Sequence, residues 1–283
     1  MENSEIIHCI LYILLNFLSY FFVVISQYKS IIIMSFKYHI IQLLSSFLSF
    51  YFLRKARNRP GYLDIIKNKK INEKKSNETN NNYEDSPILN IKFIPNNGCE
   101  ICKISKLPLR SCHCPICQKC VKGFDHHYWI LAGCIGENNR AIFIVFLFFQ
   151  NISIIYSCFG IITIISNQRN EILEYFLILF FSIICLIGVF FFMIFCYHIY
   201  LLVTNQTTYE IFNEDQCPYL SVFTYERNKF LSQRGMDIND DVRYKPFDIG
   251  IMSNICLYYQ KVFDRKYSIN WDNIFLDNIK SIN

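Results

Sequence analysis

Charge is scarce in this chain. Asp, Glu, Lys and Arg supply only 18% of its 283 residues, whereas apolar residues supply 52%, with 27 Phe among them. That balance, with its positive mean hydropathy, excludes an ordinary soluble domain of this size and indicates a membrane protein. The basic n-region of a cleaved signal peptide is also lacking: Glu2 and Glu5 precede the first apolar run, which is too long for such a peptide. No internal repeat is present. The stretch KNKKINEKKSNETNNNYEDS, residues 67–86, has too few large apolar residues to bury a core and is expected to stay disordered.

What the chain does have is length of apolar sequence. A hydrocarbon core of about 30 Å needs roughly 20 apolar helical residues to cross it. Four runs qualify: Ile6–Gln27, Ile31–Leu53, Ala141–Ser166 and Ile172–Val203, the last long enough to tilt or project. The segment after the second run, RKARNRPGYLDIIKNKKINEKK, is strongly basic, whereas the connections near 28–30 and 167–171 carry one basic residue each. The positive-inside rule therefore places the long middle loop in the cytosol, and an even number of spans places both termini there. Lys37, near the start of its span, is expected to snorkel, and Gln150 and Asn151 to bond a neighbouring helix or line a cavity. The resulting organisation is a transmembrane hairpin at 1–53, a basic and partly disordered cytosolic linker at 54–98, a cysteine-rich domain at 99–140, two further spans at 141–203 and a cytosolic tail at 204–283.

The cysteines do not form a disulfide pattern. Cys9, Cys158, Cys185 and Cys196 lie inside apolar runs, where cysteine is a small apolar residue, and the loop cysteines face a reducing cytosol. The segment CEICKISKLPLRSCHCPICQKCVKGFDHHYWILAGC holds seven of the 13 cysteines and three of the six histidines. Cys99 and Cys102 form one Cys-x2-Cys pair and Cys114 and Cys117 another, with Cys120 three residues on. Tetrahedral zinc takes four such ligands, so ten candidates are enough for two sites with two residues to spare. Spacing alone leaves the pairing open. Metal binding would also explain how a segment poor in aliphatic residues folds. A nucleic-acid-binding zinc ribbon fits less well, because the segment is only mildly basic and joins an apolar run directly; no nucleic-acid partner is expected.

The order Cys-x2-Cys, His-Cys-x2-Cys-x2-Cys, Asp-His-His and a further cysteine, followed by Asn139 and Phe143, resembles the cysteine-rich domain of the DHHC family of protein S-acyltransferases (palmitoyltransferases). TTYE, Thr207 to Glu210, looks like that family's TTxE motif, and PFDIGIMSN, Pro246 to Asn254, like its tail signature. The resemblance implies supporting roles for Thr207, Thr208, Glu210 and Asn254; Thr-x-x-Glu is also a helix capping box. It implies an α-helical polytopic membrane protein with four transmembrane helices and a cytosolic zinc-binding domain between spans two and three. One zinc would be held by Cys99, Cys102, His113 and Cys120, and the other by Cys114, Cys117, His127 and Cys134, leaving Cys112 and His126. The implied activity is transfer of a long-chain acyl group from palmitoyl-CoA or a similar acyl-CoA to cytosol-facing cysteines of substrate proteins. The implied setting is an endomembrane bilayer, that of the ER or Golgi.

In the family, an aspartate orients a histidine that activates a cysteine nucleophile. Asp125 and His126 fit the first two roles, and Tyr128 stands in the third. A phenol of pKa near 10 is roughly thirty-fold less ionised than a thiol near 8.5, and its oxygen lies roughly 4 Å farther from the backbone. Trp129 and Ile130 take the family's Pro-Trp positions, while Ala132 and Gly133 stand where asparagines are usual. Three readings follow: an acyltransferase using direct transfer or another thiol such as Cys112, a catalytically silent scaffold or partner of an active relative, and a membrane zinc protein of unrelated function. Lys103, Lys106, Arg110, Lys119, Lys122 and Arg140 are the cations available to the phosphates of CoA.

Overall fold

The computed structural model describes residues 16, 36–63, 98–166, 170–235, 245–264 and 267–282. Most of the first apolar run and the Asn/Lys-rich stretch at 67–86 lie outside the described residues. The chain divides into two compact units, residues 1–58, 128–133 and 140–200 in the first and 59–127, 134–139 and 201–283 in the second.

The first unit is built on three helices, α1 (Phe36–Arg57), α2 (Arg140–Ile165) and all but the last three residues of α3 (Glu171–Val203). Helices α2 and α3 are long and apolar enough to cross a membrane, and their bounds fall within one residue of the predicted third and fourth runs. Only a helix or closed barrel satisfies every backbone group without water, which is why such apolar sequence must coil. Helix α1 runs four residues past the expected Leu53 boundary and ends on Arg54, Lys55 and Arg57, cations that complement its C-terminal dipole.

Helices α1 and α2 meet along a polar seam. Ser49 donates to Gln150 Oε1 at 2.8 Å, Ser46 and Ser153 share a bond of 2.8 Å, and Gln42 Nε2 donates to Ser157 Oγ at 2.9 Å. Phe52 stacks on Phe149 beside it, with ring centroids 5.7 Å apart. Gln150 thus bonds a neighbouring helix, the first of its two expected uses. Asn151 spends one amide bond on Leu147 O in its own helix, at 2.8 Å, and a longer one on Phe191 O of α3 at 3.4 Å. The α2–α3 approach is close where Gly188 faces Ile154: a Cβ on that glycine would lie 2.9 Å from Ile154 Cγ2.

The second unit is irregular, with short strands. Strands β1 (Cys112–Cys114) and β2 (Lys119–Val121) form an antiparallel hairpin that pairs His113 with Cys120. Strands β3 (His126–Tyr128) and β4 (Gly133–Ile135) form a second hairpin, and the tip from 128 to 133 belongs to the helical unit. Residues 61–63, expected to be linker, run along the edge of the first hairpin and bond to it. Tyr62 bridges Val121, Leu63 N–H donates to Cys120 O at 2.9 Å, and Lys122 N–H donates to Gly61 O at 3.0 Å. Glycine is required opposite this segment, since a Cβ at Gly136 would stand 2.5 Å from Pro60 O.

After α3 come α4 (Thr208–Phe212), α5 (Pro218–Gln233), α6 (Ile251–Phe263) and α7 (Trp271–Ile282). Phe247, Trp271 and Phe275 are buried between them, with the Phe247 and Trp271 rings 5.6 Å apart. The tail therefore has a small aromatic core of its own.

Candidate active site and metal centres

Consecutive residues on a strand point to opposite faces. His113 and Cys114 on β1 accordingly serve different clusters, and that alternation is what interleaves the ligands along the chain. The structure gathers Cys99, Cys102, His113 and Cys120 in one cluster and Cys114, Cys117, His127 and Cys134 in the other, with all ligand atoms of each set within 4.8 Å of one another. These are the two sets that the resemblance implies.

The donor geometry suits zinc. His113 turns Nδ1 to Cys102 Sγ at 3.3 Å and Cys120 Sγ at 3.8 Å. His127 Nδ1 lies 3.4, 3.7 and 3.9 Å from the sulfurs of Cys117, Cys114 and Cys134. Tetrahedral zinc with ordinary Zn–S and Zn–N lengths has ligand–ligand edges of about 3.5–3.8 Å. Both Cys-x2-Cys pairs use the same turn: Cys102 N–H points to Cys99 Sγ and Cys117 N–H to Cys114 Sγ, each at 3.4 Å. The residue after each pair, Lys103 or Gln118, has φ near +50°. Burial, followed by the crowding of neighbouring thiols, pushes Cys120 and Cys134 above the ordinary thiol range. A bound cation reverses that preference and, when zinc, supplies folding free energy of about 10 kcal/mol or more per site.

Asp125 is buried, 1% exposed, and its Oδ1 accepts the Thr208 N–H at 2.7 Å. The same oxygen lies 3.4 Å from His126 Nδ1, and the imidazole is about a quarter exposed (24%). Carboxylate and imidazole thus stand side by side, with Nε2 as the ring's other nitrogen. Thr208 is placed by TTYE acting as a true capping box: Thr207 Oγ1 accepts Glu210 N–H at 3.1 Å, and Glu210 Oε2 accepts Thr207 N–H at 2.8 Å. Capping and carboxylate positioning are one structure here. Asn254, fully buried, donates to Val203 O at 2.8 Å and Asp248 Oδ1 at 2.7 Å and accepts from Ile249 N–H at 3.2 Å, fastening the tail to the end of α3.

Three of the six cations considered for CoA are otherwise engaged. Arg110 is 4% exposed; it grips Glu210 in two bonds of 2.8 and 2.7 Å, reaches Asn205 Oδ1 at 3.0 Å, and lies over the Phe247 and Trp271 rings. The adjacent Glu210 charge raises its pKa against the cost of burial, so it stays cationic. Lys122 pairs with buried Glu137 at 3.3 Å, and Arg140 is 1% exposed. Lys103, Lys106 and Lys119 remain on the surface.

Tyr128 is packed as a core residue, 6% exposed, with its ring edge-on to Phe143 at 4.9 Å. Burial pushes its phenol above the ordinary range, away from the ionised form a nucleophile needs. Cys112, the other candidate nucleophile, is half-buried, and burial raises its thiol as well.

The sequence reading missed Glu137 and Trp271. Glu137 accepts Trp271 Nε1–H at 2.8 Å and pairs with Lys261 at 3.1 Å, joining the cysteine-rich segment to α6 and α7. These two partners lie more than a hundred residues away, and only its place just after the last candidate ligand could have drawn attention to it.

Comparison with known proteins agrees with this geometry. Residues 92–215 match the family model described as DHHC palmitoyltransferase. The chain is 36% identical over 123 residues to Probable protein S-acyltransferase 5 of Arabidopsis thaliana, covering 40% of this chain and 26% of the relative. Identity is 32% over 143 residues to palmitoyltransferase SWF1 of Kluyveromyces lactis, covering 49% of this chain and 40% of the relative. With human palmitoyltransferase ZDHHC14 it is 27% over 183 residues, 60% of this chain and 32% of the relative. The matched stretches thus span less than half the length of these relatives. With both cysteine/histidine clusters, Asp125, His126 and TTYE inside the matched segment, the chain carries at residues 92–215 the domain of the DHHC palmitoyltransferase family.

Proposed function

We propose that the chain is a protein S-acyltransferase that passes a palmitoyl or similar long-chain acyl group from acyl-CoA directly to a cysteine of a substrate protein, without storing it on residue 128. The observation that carries this reading is the Asp125–His126 pair, a buried carboxylate fixed by Thr208 N–H at 2.7 Å with the imidazole nitrogen 3.4 Å away. In the transfer, His126 Nε2 takes the S–H proton of the substrate cysteine and the resulting thiolate attacks the thioester carbonyl carbon. A carbon–sulfur bond forms to the substrate, the bond to CoA breaks, and the departing CoA thiolate takes the proton back from His126. Burial and a neutral phenol support leaving Tyr128 out of the chemistry.

The wider reading has four transmembrane helices, both termini and the zinc domain in the cytosol, an ER or Golgi bilayer, and two structural zinc ions in the two clusters. Exposed Lys103, Lys106 and Lys119 would meet the CoA phosphates. A second reading, a catalytically silent partner of an active relative, is favoured by the packing of Tyr128 on Phe143.

The test is incubation with a labelled palmitoyl-CoA analogue, with and without a cysteine-containing peptide. Direct transfer gives label on the peptide, little hydroxylamine-sensitive label on the chain, retention of transfer in Tyr128→Phe and loss in His126→Ala. Tyr128→Cys should acquire label on the chain itself. No peptide label from intact, zinc-loaded protein would leave the silent reading, and wild-type label lost in Cys112→Ala would move the nucleophile there.

A further inference from the structure

Tyr62 lies in the segment expected to be linker and outside the matched residues 92–215. Its backbone bridges Val121, which β1 pairs from the other side, so Tyr62 lies at the edge of the hairpin that carries candidate ligands of both clusters. Its ring packs against the group containing Cys114, Cys117, Val121, Phe124 and Cys134, and its hydroxyl reaches Cys117 Sγ at 3.4 Å. A phenol keeps its proton at neutral pH, and a zinc-bound thiolate is an acceptor only, so the bond has one direction.

We infer that Tyr62 is an outer-sphere partner of the second metal centre, its O–H donating to the Cys117 sulfur and so restraining the ligand and lowering its reactivity. The inference rests on the zinc reading above. Three thiolates and one neutral imidazole around a divalent cation leave a net negative charge in a buried site. An O–H donor withdraws density from one sulfur, and the Lys119 ammonium, 4.9 Å from the centre of the same ring, adds positive charge nearby. Groups that bond metal ligands in this way typically change metal affinity by about 10–100-fold when removed. The first cluster has no equivalent tyrosine among the described residues: Ile104, Leu63 and Leu107 pack against it. The difference predicts an effect confined to one site.

The experiment uses the full chain in detergent or nanodiscs. Zinc is counted by elemental analysis, and its release to a chromogenic chelator is followed over time. Tyr62→Phe, which keeps the ring, should release one of two zinc ions about tenfold faster and leave the other unchanged. Peptide mapping after brief alkylation should find Cys117 modified sooner in the variant than in the wild type. Unchanged release in Tyr62→Phe, with acceleration only in Tyr62→Ala, would show that ring packing rather than the hydroxyl matters and overturn the inference. A wild-type chain with no zinc would instead remove the metal assignment beneath it, a result that the elemental count identifies before any variant is compared.

Discussion

The two halves of the stretch from Asp125 to Gly133 are built on different principles. Asp125 and His126 sit in a polar framework: Thr208 N–H holds the carboxylate at 2.7 Å, the capping box fixes Thr208, and Arg110 fixes the box through Glu210. Tyr128 is held by burial and an edge-on aromatic contact. Preserving the first half needs a chain of specific partners, while filling the second needs only a ring of suitable shape. Buried polar groups are costly unless satisfied, so the first half depends on these bonds to one another. The proposed direct transfer rests on this polar framework and not on residue 128.

The largest expected break in this comparison comes from the metal. Cys134→Ala removes one of the four candidate ligands of the second cluster, where a complete zinc site would supply folding free energy of about 10 kcal/mol, so the expected outcome is aggregated protein with less than two zinc per chain rather than folded, inactive protein. Elemental analysis and size-exclusion chromatography check this. Folded protein with full zinc would show that Cys134 is not a ligand.

Smaller, and confined to the polar half, is the effect of Arg110→Ala. It leaves Glu210 buried and uncompensated, which costs about 3–5 kcal/mol. Arg110→Lys should recover only part of that loss, because an ammonium cannot reproduce the two-pronged bond to Glu210 while lying over Phe247 and Trp271. Thermal unfolding gives the stability, and an unchanged midpoint in Arg110→Ala would mean that the ion pair does not hold TTYE in place.

The sequence made some of this readable and hid the rest for physical reasons. Helices α2 and α3 were legible because continuous apolar sequence of that length has few alternatives, and both fell within one residue of expectation. The candidate metal ligands were legible as residue types at fixed spacing; their sorting came from the resemblance, since spacing could not reveal that His113 and Cys114 face opposite ways on β1. Arg110 looked like a surface cation because its partners Asn205 and Glu210 lie 95 and 100 positions away and create no local pattern. Tyr62 was hidden by its neighbourhood, a basic stretch whose composition masks the strand-forming residues within it. Long-range polar contacts were thus the least legible part of the site.

The smallest predicted effect concerns the turn at the tip of the second hairpin. Ala132 has φ of +48°, in the left-handed region, and its N–H donates to Trp129 O at 3.0 Å. Left-handed backbone costs an ordinary L-residue about 1–2 kcal/mol, and asparagine bears it more readily than alanine. The next residue, Gly133, does not use glycine's freedom: its φ is not positive, and a Cβ there would meet Leu131 O at a comfortable 3.8 Å. The permissive residue is therefore one position away from the strained one. Ala132→Asn should stabilise the protein by about 0.5–1 kcal/mol, raising the unfolding midpoint by about 1–3 °C, with Gly133→Ala close to neutral. Thermal unfolding of both variants, followed by a thiol-reactive fluorophore, makes the comparison. A gain in Gly133→Ala with none in Ala132→Asn would place the strain elsewhere in the turn and remove backbone cost as an explanation for how this half of the motif differs from the other.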